Sequence, residues 1–364
     1  MKYREVLEGE TKLIVPEKGG ITKDEEVFYN PHMRLNRDIT VLLVKHYEPR
    51  DYLDVMTASG ARGIRVAKEA GVHATLNDLN PKALQAARKN AEINDVKVST
   101  TAEDARVILT KSRFDFVDLD PFGPPVEYVD AATSCVRNNG VLGVCATDTS
   151  ALSGSYPTAC LRKYDAHPLR CDCYNEIGLR ILLGFIARTF TRHDMGATPV
   201  YSHSTRHYMR CQMQVNRKTK KTLKSMGWLQ YCVKCMWRDY RRLDELAQTC
   251  GCGAKLKTAG PLWQGEYADR TVCESIMEKA EDEELRKFIG SVCSEQDITK
   301  PYYDLHKICR LAKTSSPKME ELKEKIESEG YLFRRTHFNP TGIRTDMEAK
   351  ELVDAVKGLS AKRK

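Results

Sequence analysis

Phe114-Asp115-Phe116-Val117-Asp118-Leu119-Asp120-Pro121-Phe122-Gly123 is the point from which the rest of the chain can be laid out. The apolar run Phe114 to Val117 reads as a buried strand, and Asp-Pro followed by Phe-Gly reads as the turn that ends it. Two carboxylates, a proline and an aromatic ring at the carboxyl end of a strand suit the ligand crevice of an open α/β sheet. Taken alone, the same residues are ordinary turn punctuation, so the flanking segments decide between the two readings.

Upstream, Asp51 to Met56 is the first core strand. Thr57-Ala58-Ser59-Gly60-Ala61-Arg62-Gly63 follows it, then a helix from Ile64 to Ala70 that stops at Gly71. Small residues between a strand and a helix let the backbone come close to a ligand at the helix N-terminus, but the spacing is not the dinucleotide pattern GxGxxG. His73 to Asp78 is a second strand ending in an acid. Asp78 lies roughly twenty residues beyond Asp54, where a carboxylate takes ribose hydroxyls. Asn80-Pro81 opens a helix from Lys82 to Ile93, with Asn80 as the cap and Pro81 at the first helical position. Val96 to Thr100 is a third strand, and Asp104 just beyond it is placed to accept an adenine amine. Further upstream, Phe28, Tyr29, Arg34 and Arg37 precede an apolar helix from Ile39 to Tyr47. They read either as a helix entry with a solvated basic face, or as a lid in which an arginine meets a cofactor carboxylate and Phe28 forms a stacking wall. Tyr3 to Thr22, with Gly19-Gly20, reads as strands and turns.

Downstream, a helix from Val126 to Val136, an Asn139-Gly140 turn and a strand from Gly140 to Thr147 continue the alternation, which specifies a parallel doubly wound sheet. Ser150 to Arg170 reads as a basic, loop-rich stretch beside the site. A helix from Tyr174 to Phe190 and an antiparallel pair, Thr198–Ser204 and Tyr208–Val215, complete a first domain, residues 1–217. Lys218, Lys220, Lys221 and Lys224 read as a basic linker to a second domain, residues 218–364.

Hydrophobic content of 41% and charged content of 30% are those of an ordinary globular chain of 364 residues, long enough for two domains. No apolar run approaches the ~20 residues of a membrane span, and Met1 to Glu5 has no signal-peptide character, so the expected location is cytoplasmic. A net charge of +8 permits a phosphate-rich partner without demanding one. No obligate protein partner is indicated. Lys362-Arg363-Lys364 reads as a solvated end.

The thirteen cysteines are odd in number and scattered, which argues against a disulfide scaffold. Cys232-Val233-Lys234-Cys235 and Cys250-Gly251-Cys252-Gly253 form two close pairs and match a closed, structural four-cysteine zinc site, the second pair being CxC and the weaker half. A redox CxxC lacks the surrounding βαβ unit that such chemistry uses. The other nine cysteines read as core residues; Cys171 and Cys173 lack a partner pair. Between the metal pairs, Trp237, Tyr240 and three arginines suit either nucleic acid or a packed ribbon surface. Gly260-Pro261 reads as a strand start. Helices are expected at Thr271–Ile289, Tyr302–Ala312 and Lys318–Ser328, followed by a strand and basic loop with a winged-helix outline. In that loop Arg334, Arg335 and Arg344 are the candidates for phosphate contact.

Acid-Pro-aromatic at a strand's end resembles the catalytic tetrapeptide of amino-methyltransferases. Acids at the ends of the second and third strands complete the resemblance to a class I methyltransferase, a Rossmann-like sheet that binds S-adenosylmethionine. Several stretches in order carry a narrower one: Phe28-Tyr29-Asn30-Pro31 with Asn36-Arg37-Asp38, Ser59 to Arg65, Asp118 to Gly123, Tyr201-Ser202-His203-Ser204, Gly260 to Trp263, and Arg335 to Asp346. Together they resemble the archaeal tRNA guanine-26 N2-dimethyltransferases over nearly the whole chain. That resemblance implies a C-terminal α+β domain with a zinc-ribbon-like module at about 228–258, and tRNA as partner. It implies S-adenosylmethionine contacts for Arg37, Arg62, Asp78, Asp104 and Ala105, guanine contacts for Asp120 and Phe122, and zinc on Cys232, Cys235, Cys250 and Cys252. The family's second cysteine pair is often CxxC; here it is one residue shorter.

The residue types fit that chemistry. An exocyclic amine is a poor nucleophile because its lone pair is delocalised into the ring. A carboxylate accepting its N–H draws the nitrogen toward the methyl donor. Proline stiffens the turn, and Phe122, with Phe28 opposite, offers faces for a purine extruded from the stack. The expected alternatives are transfer to another tRNA guanine or to an adenine amine, or a non-catalytic zinc-containing RNA-binding protein.

Overall fold

The computed structural model describes residues 2–17 and 27–361; the Gly19-Gly20 turn and the Lys362-Arg363-Lys364 tail lie outside the described residues. In chain order the elements are β1 (Tyr3–Glu8), β2 (Thr11–Pro16), α1 (Arg34–Tyr47), β3 (Asp51–Asp54), α2 (Ala61–Glu69), β4 (His73–Asn77), α3 (Pro81–Glu92), β5 (Ser99–Thr101), α4 (Ala105–Lys111), β6 (Phe114–Leu119), α5 (Val126–Cys135) and β7 (Val136–Ala146). They continue with α6 (Thr149–Leu152), α7 (Pro157–Tyr164), α8 (Tyr174–Thr191), β8 (Gly196–Thr205), β9 (Tyr208–Asn216), α9 (Thr219–Lys224), β10 (Met226–Cys232), β11 (Arg238–Arg241), β12 (Leu256–Trp263), α10 (Arg270–Lys279) and α11 (Glu283–Ser294). Last come β13 (Tyr303–Asp304), α12 (Leu305–Ala312), α13 (Met319–Ser328), β14 (Arg334–Arg335), β15 (Gly342–Arg344) and α14 (Ala349–Ala361).

The central sheet is mixed, with strand order β5-β4-β3-β6-β7-β9-β8. β3 through β7 pair in parallel, while β9 runs antiparallel between β7 and β8. Tyr52, Leu53, Phe116, Val117, Leu142 and Val144 are buried in the middle of the sheet because helices cover both faces, as continuous apolar strands require. Topology therefore brings the carboxyl ends of β3, β4 and β6 side by side. The Asn80 side chain caps α3 by accepting the Lys82 amide at 3.0 Å, with Pro81 at the first helical position, as expected from the sequence.

Several expected boundaries move, each for a local reason. β7 runs from Val136 rather than Gly140: the strand bulges between its pairings to Phe114 and Phe116, and Asn139 takes a left-handed φ of 68° inside it. The single helix expected over Thr271–Ile289 is two, because Ala280 is extended and Asp282 caps a second helix through the Leu285 amide at 2.8 Å. The lysine-rich linker folds as α9, and the loop-rich stretch after Ser150 contains α6 and α7. Gly260-Pro261 lies inside β12, not at its start; β12 is an edge strand of the β11-β10-β12 sheet, where a missing amide donor is tolerated.

β10 and β12 contribute Leu229, Tyr231, Leu262 and Trp263 to the same apolar core as the central sheet. A second core, from Tyr303 and Leu305 to Val356, holds α12, α13, α14 and the small β13-β15-β14 sheet. Arg344, a candidate phosphate contact by sequence, is fully buried between these parts. It pairs with Glu176 of α8 and with Glu295, so it is a strut and cannot meet a phosphate. Arg334 is held by Asp297, and Arg335 is exposed with its guanidinium on the Pro340 carbonyl. Among the described residues no helix is long and apolar enough to cross a membrane.

Candidate functional site

A cavity of about 320 Å³ opens where β3, β4 and β6 end, within the ~300–1,000 Å³ usual for small-molecule sites. Its floor is the Thr57-Ala58-Ser59-Gly60 turn between β3 and α2. Gly60 has φ +81°, and a Cβ there would press on the Ala87 backbone at 3.1 Å, so the turn needs glycine. Gly63 is equally constrained: its Cβ would sit 2.1 Å from Leu76. Buried Asp54 braces the turn by accepting from the Thr57 hydroxyl at 2.9 Å and the Gly63 amide at 3.1 Å. Burial pushes its pKa up to about 7, despite the opposing Arg62 charge.

Asp78 follows β4 and lines the cavity. It accepts the Ala58 amide at 2.8 Å and the Asn80 amide at 2.9 Å, which fixes its carboxylate against the turn. Arg37, on α1, lines the opposite wall. Its Nε donates to Glu8 at 2.7 Å and its Nη2 to Glu8 and to the Asn30 carbonyl, while the guanidinium rests over the Tyr29 ring at 5.3 Å. Among the described residues Nη1 has no partner. Glu8 is 2% exposed and also takes the Tyr29 hydroxyl and Arg65. Burial opposes its charge, but Arg37, Tyr29 and Arg65 outweigh that and hold its pKa below the usual value.

Asp120 stands at the third strand end, with Pro121 and Phe122 beside it on the cavity wall. Thr147, at the end of β7, accepts the Gly123 amide at 2.7 Å and pins this turn. Asp120 pairs with Arg62, whose other nitrogens reach Asn36, Thr40 and Asp118. Asp118 is fully buried and held by Arg210. Burial works against its charge, yet Arg210 and Arg62 keep its pKa below the usual value. Phe122 is 43% exposed at the mouth, and the Phe28 ring meets it edge-to-face, centroids 4.6 Å apart and planes at 78°. A base between two rings needs about 7 Å, twice the usual carbon contact distance, so these rings must part to admit one.

Of the residues singled out by sequence, the cavity thus gathers Phe28, Arg37, Arg62, Asp78, Asp120 and Phe122. Asp104 and Ala105 lie outside its lining. Asp104 caps α4 and is held by Arg106, whose hydrogen bonds bring its carboxyl down to about 2. Sequence reasoning missed Glu8, Thr40 and Arg210, which act only across the fold. Asn36 did stand in the quoted Asn36-Arg37-Asp38 stretch, where only its neighbour was given a role.

The sulfurs of Cys232, Cys235, Cys250 and Cys252 lie within 4.8 Å of one another. Cys232–Cys252 and Cys235–Cys250 are 3.5 and 3.6 Å apart, close to the ~3.8 Å edge of a tetrahedron with Zn–S bonds of about 2.3 Å. The amides of Trp237, Cys252 and Ala254 point at the sulfurs of Cys235, Cys250 and Cys252. Left-handed Met236 and Gly253 make those turns possible. The donor set and its spacing therefore fit a tetrahedral ion despite the short CxC pair. Cys171 and Cys173 lie 3.4 Å apart, but Asp172 between them is spent on Arg238.

Comparison with known proteins covers nearly the whole chain. The chain is 38% identical to the tRNA (guanine(26)-N(2))-dimethyltransferase of Methanobrevibacter smithii, over 99% of this chain and 98% of that protein. It is 37% identical to the enzyme of the same name from Methanosarcina barkeri, over 99% and 100%. A structure of Trm1 from Pyrococcus horikoshii in complex with S-adenosyl-L-methionine superposes with a TM-score of 0.87 at 33% identity, covering 97% of this chain and all of that one. Residues 9–357 match the model of one family throughout, and the chain belongs to that family, N2,N2-dimethylguanosine tRNA methyltransferase.

Proposed function

We propose that this protein methylates the exocyclic N2 of guanine 26 in tRNA, once or twice, using S-adenosylmethionine. The observation that carries the proposal is the meeting of Arg37, Asp78, Asp120 and Phe122 in one cavity, in a chain that follows the guanine-26 dimethyltransferases along its full length. S-adenosylmethionine supplies an electrophilic methyl on a sulfonium. Asp78, its orientation set by two amides, takes the ribose hydroxyls. Arg37 offers its unspent Nη1 to the methionine carboxylate, with Glu8 keeping the guanidinium in place. Arg62 is less suited to that carboxylate, its donors being largely engaged. A role for Asp104 at the adenine amine requires the Arg106 fork to open; Ala105 follows it as the first residue of α4.

Phe122 and Phe28 separate and hold the extruded guanine by stacking. Asp120 accepts an N–H of the amine, turning the nitrogen toward the methyl, and takes up the proton shed as the amine becomes cationic. Monomethylguanine retains one N–H, so the same carboxylate serves a second round. Residues 218–364 hold the tRNA body. Incubating unmodified tRNA with labelled S-adenosylmethionine and analysing its nucleosides by mass spectrometry tests the whole reading. Dimethylguanosine at position 26 supports it; methyladenosine, a different guanine, or no transfer overturns it. Asp78→Ala is expected to weaken S-adenosylmethionine binding about 10- to 100-fold, the worth of a hydrogen bond to a charged group, measured by titration calorimetry.

The four cysteines hold a structural zinc ion in a zinc-ribbon-like module built on β10, β11 and β12. Elemental analysis should find one zinc per chain, and removing it with a chelator should lower the melting midpoint while leaving S-adenosylmethionine affinity unchanged.

A further inference from the structure

We propose that the cleft between the four-cysteine module and α14 receives one unpaired base of the tRNA, other than the target guanine, on the ring of Trp237. This deepens the reading of the protein as a tRNA methyltransferase and rests on it.

The cleft encloses about 730 Å³, against about 320 Å³ for the cavity at the strand ends. One wall is Trp237, Thr249 and Leu256 of the cysteine module; the other is Glu348, Ala349 and Lys350 at the start of α14. The walls belong to different apolar cores. Trp237 packs on Cys232, Cys250 and Leu256, whereas Ala349 packs with the C-terminal helices. The side chains from Trp237 to Arg241 alternate between the two sides of the chain, as in a strand. Arg238 is fully buried on Asp172, and the Arg180 guanidinium lies over the Tyr240 ring at 5.2 Å. Trp237 and Arg241 line the cleft instead, so only half of this aromatic–arginine run is open to a ligand.

The polar groups left over suit a nucleotide. The Trp263 indole N–H is spent on the Glu266 carbonyl at 2.7 Å, while that of Trp237 has no partner among the described residues. Arg241 is tied only to Asp239, at 2.9 Å, and lies over the Trp237 ring at 5.6 Å. Its side chain is 37% exposed, so it is free to swing from the ring to a phosphate when a base takes its place. Glu348 is occupied by Lys300, and Lys350 is exposed with no acidic partner among the described residues. The lip thus presents a cation that lacks a carboxylate. Deeper in, the cysteine sulfurs repel a phosphate but not a neutral base. An aromatic platform, apolar walls and cations at the lip are what single-stranded nucleic acid requires. Bases within a stem are already stacked on one another, so the occupant is an unpaired one.

The test uses the full-length, zinc-loaded protein and unmodified tRNA. Affinity for tRNA is measured at several salt concentrations, with KM and kcat for methyl transfer, S-adenosylmethionine affinity and zinc content on the same samples. Trp237→Ala is expected to weaken tRNA binding about 5- to 100-fold, the range of one lost stacking contact, and to raise KM for tRNA with kcat and S-adenosylmethionine affinity unchanged. Its salt slope should stay as in the unaltered protein, because stacking releases no counterions; Lys350→Ala should lower that slope by about one. Trp237→Phe should restore most of the affinity. Zinc-loaded Trp237→Ala that binds tRNA within twofold of the unaltered protein overturns the proposal. So does a Trp237→Ala loss that appears in kcat alone. Should Trp237→Ala lose its zinc, Lys350→Glu carries the test, since an acid in the first turn of α14 favours the helix. Binding weakened about fivefold or more supports the cleft, and unchanged binding overturns it. Failure of the unaltered protein to methylate tRNA would remove the reading beneath; normal methylation of guanine 26 with an unaffected Trp237→Ala removes only the cleft.

Discussion

Asp120→Ala is expected to reduce methyl transfer to tRNA by at least two to four orders of magnitude, the usual contribution of a positioned proton acceptor, while S-adenosylmethionine still binds. The two effects separate because Asp120 faces the mouth beside Phe122, whereas Asp78 and Arg37 belong to other walls of the cavity. Alanine leaves Arg62 in place, since Asn36, Thr40 and Asp118 still hold it. The sheet and the turn around Gly60 should therefore survive, and the melting midpoint should change little. Single-turnover transfer to unmodified tRNA, with cofactor binding measured on the same sample, checks this. A normal single-turnover rate would mean that another group receives the amine proton.

Arg344→Ala is expected to destabilise the protein by about 3–5 kcal/mol, because two fully buried carboxylates each lose a cation, leaving Arg180 beside Glu176 and His337 beside Glu295. Arg344 joins Glu176 on α8 to Glu295, and also donates to the carbonyls of Ile298 and Lys300 at 3.0 and 2.8 Å. Glu295 in turn takes the His337 amide at 2.7 Å and the Thr336 hydroxyl. The lost struts lie where α8 of the central sheet meets the C-terminal elements. Denaturant unfolding gives the stability change, and tRNA binding at several salt concentrations distinguishes it from a lost phosphate contact. A surface phosphate contact would cost little stability and reduce the salt slope by about one. The same network makes stability fall in acid. Burial opposes the Glu295 charge, but His337, Arg344 and Thr336 bring its pKa down to about 2. A carboxylate depressed in the folded state stabilises it above the unfolded value of 4.5. That contribution is lost as pH falls from there toward 2, so the midpoint should drop through this window and less steeply in Arg344→Ala.

What could be read from the residues alone was whatever is encoded locally. The alternation of strand and helix, the Asn80-Pro81 cap, the small-residue turn after Asp54 and the spacing of the two cysteine pairs are all short-range patterns. Each has one physical solution that its neighbours do not alter. Ends of elements were read less well where a distant partner decided them, as at the β7 bulge, which answers to β6.

The sequence by itself determined the sheet, the crevice at its strand ends and two of the three acids expected to border it, Asp78 and Asp120, because period, cap and turn chemistry act within a few residues. Only the tertiary structure decided which charges are free to meet a ligand. Arg37, Arg62 and Arg344 look alike in the chain, yet one keeps an open edge on the cavity, one is braced by Asn36 and Asp118, and one is walled in between Glu176 and Glu295. A guanidinium's role is set by what lies within a hydrogen bond of it, and those partners can come from far along the chain, as Glu176 does, 168 positions from Arg344.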